Sequence, residues 1–172
     1  IQNLYFVRKE SKIPLLKVLE SLENFLGEVF KQGLGQSPKV LKWRFIMTQS
    51  ERENLVRGYL GKTVTVTVDR PIGYVHRKGE KVLTYPVNYG YIAGVLGGDG
   101  EELDVYVLGI DRPVAECEVR VIGIVFRADD VEDKLIAAPQ GKRYRAEEAT
   151  EAIRFAEKYY HSRVEICPDL LT

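Results

Sequence analysis

Apolar residues recur along this chain at two different spacings. Leu15, Leu19, Leu22, Leu26 and Val29 follow a helical interval, widened by Phe25 and Phe30, with Ser11 placed to cap, Pro14 in the first turn, and Gly33 and Gly35 ending the pattern. From Lys62 the period drops to two: Val64, Val66 and Val68 alternate with threonines and predict a strand with one buried face, stopped by an Asp69-Arg70-Pro71 turn. Gly79 marks a turn before the Lys81-Val82-Leu83 run, and Tyr85 to Asp104 reads as an aromatic-rich turn and a glycine-rich bend. Val105–Leu108 and Val119–Phe126 predict strands, separated by an Asp111-Arg112-Pro113 turn. A helix is predicted over Ala146–Tyr160, with Ala149, Ile153, Ala156 and Tyr160 on one face, and a last short strand over Val164–Cys167. Short strands with turns between them, followed by one helix, argue for an α+β chain with a small barrel-like core and helices outside it.

Composition narrows the function classes. Twenty-five basic and 25 acidic residues balance over 172 positions, so the basic footprint of a nucleic-acid binder is missing. Residues 1–46 carry eight basic and four acidic side chains, +4, which leaves −4 on the remainder. The amphipathic stripe in that stretch needs a cover, for which the chain's own domain or a twin is a better candidate than a membrane, since its polar face mixes acids with bases. Met47 is the only methionine and precedes TQSERENLVRGYLGK, which reads as a natural start. Residues 1–46 are therefore expected to be an extension and residues 47–172 the functional domain. Cys117 and Cys167 sit in no metal-ligand spacing and are expected to be reduced and structural. No apolar run reaches the ~18 residues of a membrane span and no signal peptide is evident, so a cytoplasmic location is expected.

Chemistry concentrates in two acidic stretches. Asp99, Glu101, Glu102 and Asp104 place four acids in six residues, directly ahead of a strand-like run. A solvated turn is the plainer reading of such a loop. Against it, Leu103 stands between two acids; with a strand beginning there, Leu103, Val105 and Val107 share one face while Asp104 and Tyr106 share the other. A carboxylate held at the mouth of a strand, with Asp99 and Glu101 approaching from the bend, suits a hard divalent cation. The second loop, Asp129, Asp130, Glu132 and Asp133, ends in Lys134 and the apolar run Leu135–Ala138. If the two loops meet, their acids would hold more than one cation. Between Pro71 and Thr84 the connector carries His76, Arg77, Lys78 and Lys81; the lone histidine reads as a surface or structural residue and the basic group as a solvated face close to the acidic site.

The block YPVNYGYI followed by DGEELD resembles the signature of the family I, or soluble, inorganic pyrophosphatases, YPxNYGYI followed by D-G-D-P-x-D. ADDVEDKLIAAP is similar to that family's second acidic loop with its D-x-K ending, and the resemblance runs from about Gly61 to Pro168. It implies an OB-like five-stranded β-barrel, hydrolysis of pyrophosphate to two phosphates by metal-activated water, Mg²⁺ as cofactor and a homo-oligomer. It also implies metal-binding roles for Asp99, Glu101, Asp104, Asp129 and Glu132, with Glu101 and Asp104 as the catalytic acids and Glu101 assisting the attacking water. Tyr89, Lys134 and Tyr159 match phosphate contacts, and Asp69 falls near an acidic position of the family's first strand. Three features depart from the pattern. Glu101 and Glu132 replace aspartates, Tyr160 stands where the family has a phosphate-binding lysine, and the Pro71–Thr84 connector is shorter than the family's corresponding hairpin, which brings a lysine and an arginine to the phosphates. Arg70, Arg77, Lys78 and Lys81 are the substitutes at hand, Arg77 foremost. The departures keep two alternatives open: a domain that binds metal and a phosphorylated ligand with little turnover, and an OB-like interaction module whose acidic loops are solvated turns.

Overall fold

A computed structural model describes residues 47–79 and 81–167, the side chains of Lys78 and Lys81 excepted. The helix expected over residues 15–29 lies outside the described residues. The chain enters through helix α1, Gln49–Arg57, not anticipated from the sequence. A capping box starts it: Thr48 Oγ1 accepts the Glu51 amide and Glu51 Oε2 accepts the Thr48 amide.

Strands β1 (Thr63–Arg70), β4 (Asn88–Leu96), β5 (Glu102–Val107), β7 (Lys134–Ala138) and β6 (Glu116–Arg127) lie side by side in that order, and β6 pairs back onto β1. This closes the five-stranded barrel that the resemblance implied. The β5–β7 pair is parallel and the others antiparallel. Strand β8 (Ser162–Ile166) extends the sheet beside β6, while β2 (Val75–Lys78) and β3 (Lys81–Thr84) form a separate hairpin.

Alternation divides the apolar residues into two cores. Val66, Leu103, Val105, Val107, Leu135 and Ala137 point into the barrel together with Val56 of α1. Tyr89, Tyr106, Ile136 and Ala138 point outward, where helix α2 (Ala146–Glu157) covers them with Ala149, Ile153 and Ala156. Each large apolar side chain fully buried in this way contributes about 1.5–3 kcal/mol.

Several boundaries differ from the sequence expectation. β1 runs through Arg70 instead of stopping at a turn; Tyr85–Asp104 contains the nine-residue strand β4 rather than a turn alone; β7 begins at Lys134; and α2 ends at Glu157, leaving Tyr160 in the turn that follows. In β4 the burial of both faces by the barrel hides the simple alternation that marks β1. Gly90 is required there, because a Cβ would stand 1.9 Å from the Thr67 carbonyl oxygen on β1. Asn88 is fully buried; its Oδ1 accepts the Ile72 amide and its Nδ2 donates to the Ile110 and Arg112 carbonyls, each at 3.0 Å. Much of the YPVNYGYI block therefore ties loops and strands together. Cys117 and Cys167 are both free thiols.

Candidate active site

The outer faces of the five barrel strands carry a row of polar side chains at one end: Arg70 on β1, Tyr89 on β4, Asp104 on β5, Lys134 on β7 and Arg127 on β6. Register explains the row. Arg70 pairs with Tyr89, Tyr89 lies opposite Tyr106, and the parallel match of Val105 to Leu135 brings Asp104 beside Lys134. The two arginines reach this face through irregularities. Register shifts between Val68 and Arg70 and between Val121 and Gly123 each displace the alternation by one residue, turning outward positions that strict pleating would place inside the barrel.

Lys134 is the centre of the row. Its Nζ donates to Asp104 Oδ2 at 2.6 Å and to Tyr89 Oη at 2.6 Å, and stands 2.8 Å from Glu132 Oε1. Tyr89 also donates to Asp104 Oδ2. The lysine side chain is 3% exposed, against 20% for Asp104 and 31% for Glu132, so the acids form the open lip over a buried cation. Burial and the neighbouring Asp104 charge raise the Tyr89 hydroxyl well above its ordinary pKa, which keeps it a donor. Asp104 and Glu132 interact directly, and their acidities split. Burial opposes ionisation of Asp104, but the Lys134 charge together with hydrogen bonds from Glu132, Lys134 and Tyr89 outweighs it and holds this carboxyl low; burial and the hydrogen bond with Asp104 push Glu132 up. Asp69 is also raised, first by burial and then by Asp104, with Arg70 opposing.

Arg127, which the sequence reading did not single out, forms the second cationic post. Its Nη1 meets Glu132 Oε2 at 2.8 Å and Asp130 Oδ2 at 3.1 Å, while Nε and Nη2 grip Glu157 at 3.0 and 2.7 Å. Tyr106 Oη and Ser162 Oγ donate to the same Glu157 carboxylate, so this buried acid is fully engaged. Tyr160 lays its ring on the Arg127 guanidinium at 3.6 Å. On the β1 side, Arg70 donates to Tyr85 Oη at 2.8 Å and lies 5.0 Å from the Tyr89 ring centroid.

The structure thus gathers Tyr89, Asp104, Glu132 and Lys134. The other residues expected at the site make further contacts. Asp99 Oδ1 accepts the Glu101 amide within the first bend, where Glu101 is exposed. Asp129 Oδ1 accepts the His161 amide at 2.9 Å. Tyr159 is 60% exposed, with Lys158 Nζ 5.1 Å from its ring centroid, and Arg77 is exposed on β2. Among the described residues no group of three or more His, Cys, Asp or Glu gathers to hold a metal. The two bends do touch: a Cβ on Gly98 would stand 2.2 Å from the Val131 carbonyl oxygen. Arg127 had one sequence signal, a charge closing the apolar run VIGIVF, and Glu157 had none beyond its place on a helix.

A sequence model described as Inorganic pyrophosphatase matches residues 62–164, more than half of the chain. The chain belongs to the inorganic pyrophosphatase family. A curated inorganic pyrophosphatase from Campylobacter jejuni is 33% identical over 89 residues, covering 48% of this chain and 51% of that protein. One from Mesorhizobium japonicum is 33% identical over 104 residues, covering 56% and 59%. The chain thus spans about half the length of these curated relatives. A crystal structure of inorganic pyrophosphatase from Ehrlichia chaffeensis superposes with a TM-score of 0.48 at 19% identity, covering 62% of this chain and 87% of that one.

Proposed function

We propose that this chain hydrolyses inorganic pyrophosphate to two phosphates, with Mg²⁺ as its cation. The observation that carries the reading is Lys134 Nζ held between Asp104 and Glu132 beside the Tyr89 hydroxyl: two acids from separate loops converge on one charge. The donor set is all oxygen, and Mg²⁺ is commonly bound through one or two carboxylates, substrate phosphates and retained waters. The residues present fit that ion. Asp104 and Glu132 would hold it, assisted by Asp99, Glu101 and Asp129 from the bends. When bound, a divalent cation neutralises phosphate oxygens and makes water more acidic.

The protein's own groups supply the rest. Lys134 offsets phosphate charge, the Tyr89 hydroxyl donates to a phosphate oxygen, and Arg70, Arg77 and Tyr159 line the approach. The Glu101 carboxylate takes the proton from the attacking water as the water oxygen bonds to one phosphorus; the bond from that phosphorus to the bridging oxygen breaks, and the other phosphate leaves carrying the bridging oxygen. The division at residues 46 and 47, a cytoplasmic location and a homo-oligomeric state belong to the same proposal. Among the described residues, no helix is long and apolar enough to cross a membrane.

Phosphate release from pyrophosphate by the full chain, with and without Mg²⁺, tests the reading. Release that requires Mg²⁺ and falls at least about a hundredfold in Asp104→Asn is the expected result. A folded protein that releases none with Mg²⁺, Mn²⁺ or Zn²⁺ overturns it. The engagement of Asp129 with the His161 amide favours a second reading, a domain that binds cation and a phosphorylated ligand with little turnover; cation binding without phosphate release would select it.

A further inference from the structure

Behind the site, on the side away from Asp104, one arginine of α1 joins the two acidic bends. Arg52 is 8% exposed. Its Nη1 stands 3.1 Å from Asp133 Oδ2 and donates to the Asp130 carbonyl at 3.3 Å, both in the second bend. Its aliphatic stem packs on the first bend at Gly98, where an added Cβ would fall 2.1 Å from Arg52 Cδ and 2.8 Å from Cγ. The absence of a side chain at Gly98 is thus what lets the arginine pass between the bends.

The neighbours of Asp133 give this contact its consequence. Asp133 lies between Glu132 and Lys134, directly ahead of β7. Asp133 turns back toward Arg52, and its Oδ1 also accepts the Arg127 amide at 3.0 Å. Its two neighbours turn forward to meet Asp104. Fixing Asp133 from behind therefore fixes Glu132 and Lys134 in front. Arg52 precedes residues 62–164, the stretch matched by the family model, so the strut is supplied by a part of this chain outside that match.

We infer that Arg52, through its ion pair with Asp133 and its packing on Gly98, is a positioning residue that sets the two acidic bends against one another and thereby tunes cation binding at Asp104 and Glu132. The inference rests on the proposed cation-dependent function for its second half only; the coupling of the bends stands on the geometry.

The test uses the full chain and three variants: Arg52→Met, which keeps the stem and removes the charge, Asp133→Asn, and the conservative Arg52→Lys. Two readouts are taken, amide hydrogen exchange of residues 97–102 and 128–133 without metal, and Mg²⁺ affinity by calorimetry. In Arg52→Met both bends should exchange faster together and Mg²⁺ affinity should fall roughly tenfold or more, the usual cost of losing a residue that orients ligands. Asp133→Asn should reproduce the loss, and Arg52→Lys should recover part of it. Unchanged exchange in residues 97–102, or Mg²⁺ affinity within about twofold of wild type, overturns the inference. If the wild-type chain itself neither binds Mg²⁺ nor releases phosphate, the proposed function fails, while exchange of the two bends still decides whether Arg52 couples them.

Discussion

The two acidic bends are alike in composition and differ in what surrounds them. In the second, Asp130 and Glu132 meet Arg127, Glu132 also meets Lys134, and Asp133 meets Arg52. In the first, Asp99 accepts the Glu101 amide and Glu102 Oε1 accepts the Gly94 amide, contacts made with nearby backbone. The second bend is held by cations projecting from the barrel and α1, while Asp99 and Glu102 of the first also bond amides of their own stretch of chain. A loop tied by buried cations keeps its carboxylates in place before any ligand arrives, at the cost of needing those cations for stability.

The largest effect should come from removing the strongest of those ties. Arg127→Met leaves Glu157 buried without its cation, which costs roughly 3–5 kcal/mol and should lower Tm on the order of 10 °C. Thermal unfolding monitored by circular dichroism checks this; a shift under about 2 °C would mean that the arginine network is not what holds the second bend.

Neutralising one glutamate in each bend sharpens the contrast. Glu132→Ala should cost about 1–3 kcal/mol of stability as well as activity, because it leaves the buried Arg127 and Lys134 each short of one hydrogen-bond acceptor in the free protein. Glu101→Gln should lower turnover while leaving stability within about 0.5 kcal/mol. Paired urea melts and phosphate-release assays separate the two, and equal stability losses would erase the distinction.

The smallest effect is in the pH dependence. Burial opposes ionisation of Glu157, but its hydrogen bonds with Arg127, Ser162 and Tyr106 outweigh this and lower its folded pKa. Its contribution is then fully present above the ordinary glutamate value and is lost as the pH falls through the lowered one. Glu157→Gln should flatten the acid limb of a Tm-against-pH curve; an unchanged limb would assign acid sensitivity to other carboxyls.

Several features of this protein could be read from residue order alone. Period-two valines announced β1, and the alternation from Leu103 correctly put Asp104 and Tyr106 on one face and Val105 and Val107 on the other. The pairing of YPVNYGYI with DGEELD pointed to the family that the comparisons show. These are local properties, since pleat and motif are fixed within a few residues. Tertiary structure decided the rest. Two register shifts turned Arg70 and Arg127 onto the working face, the β5–β7 pairing set Lys134 beside Asp104, and α1 delivered Arg52 behind Asp133. Each of these joins residues far apart in the chain, and a one-residue slip reverses which face a side chain occupies. No local pattern carries that information; the closure of the barrel does.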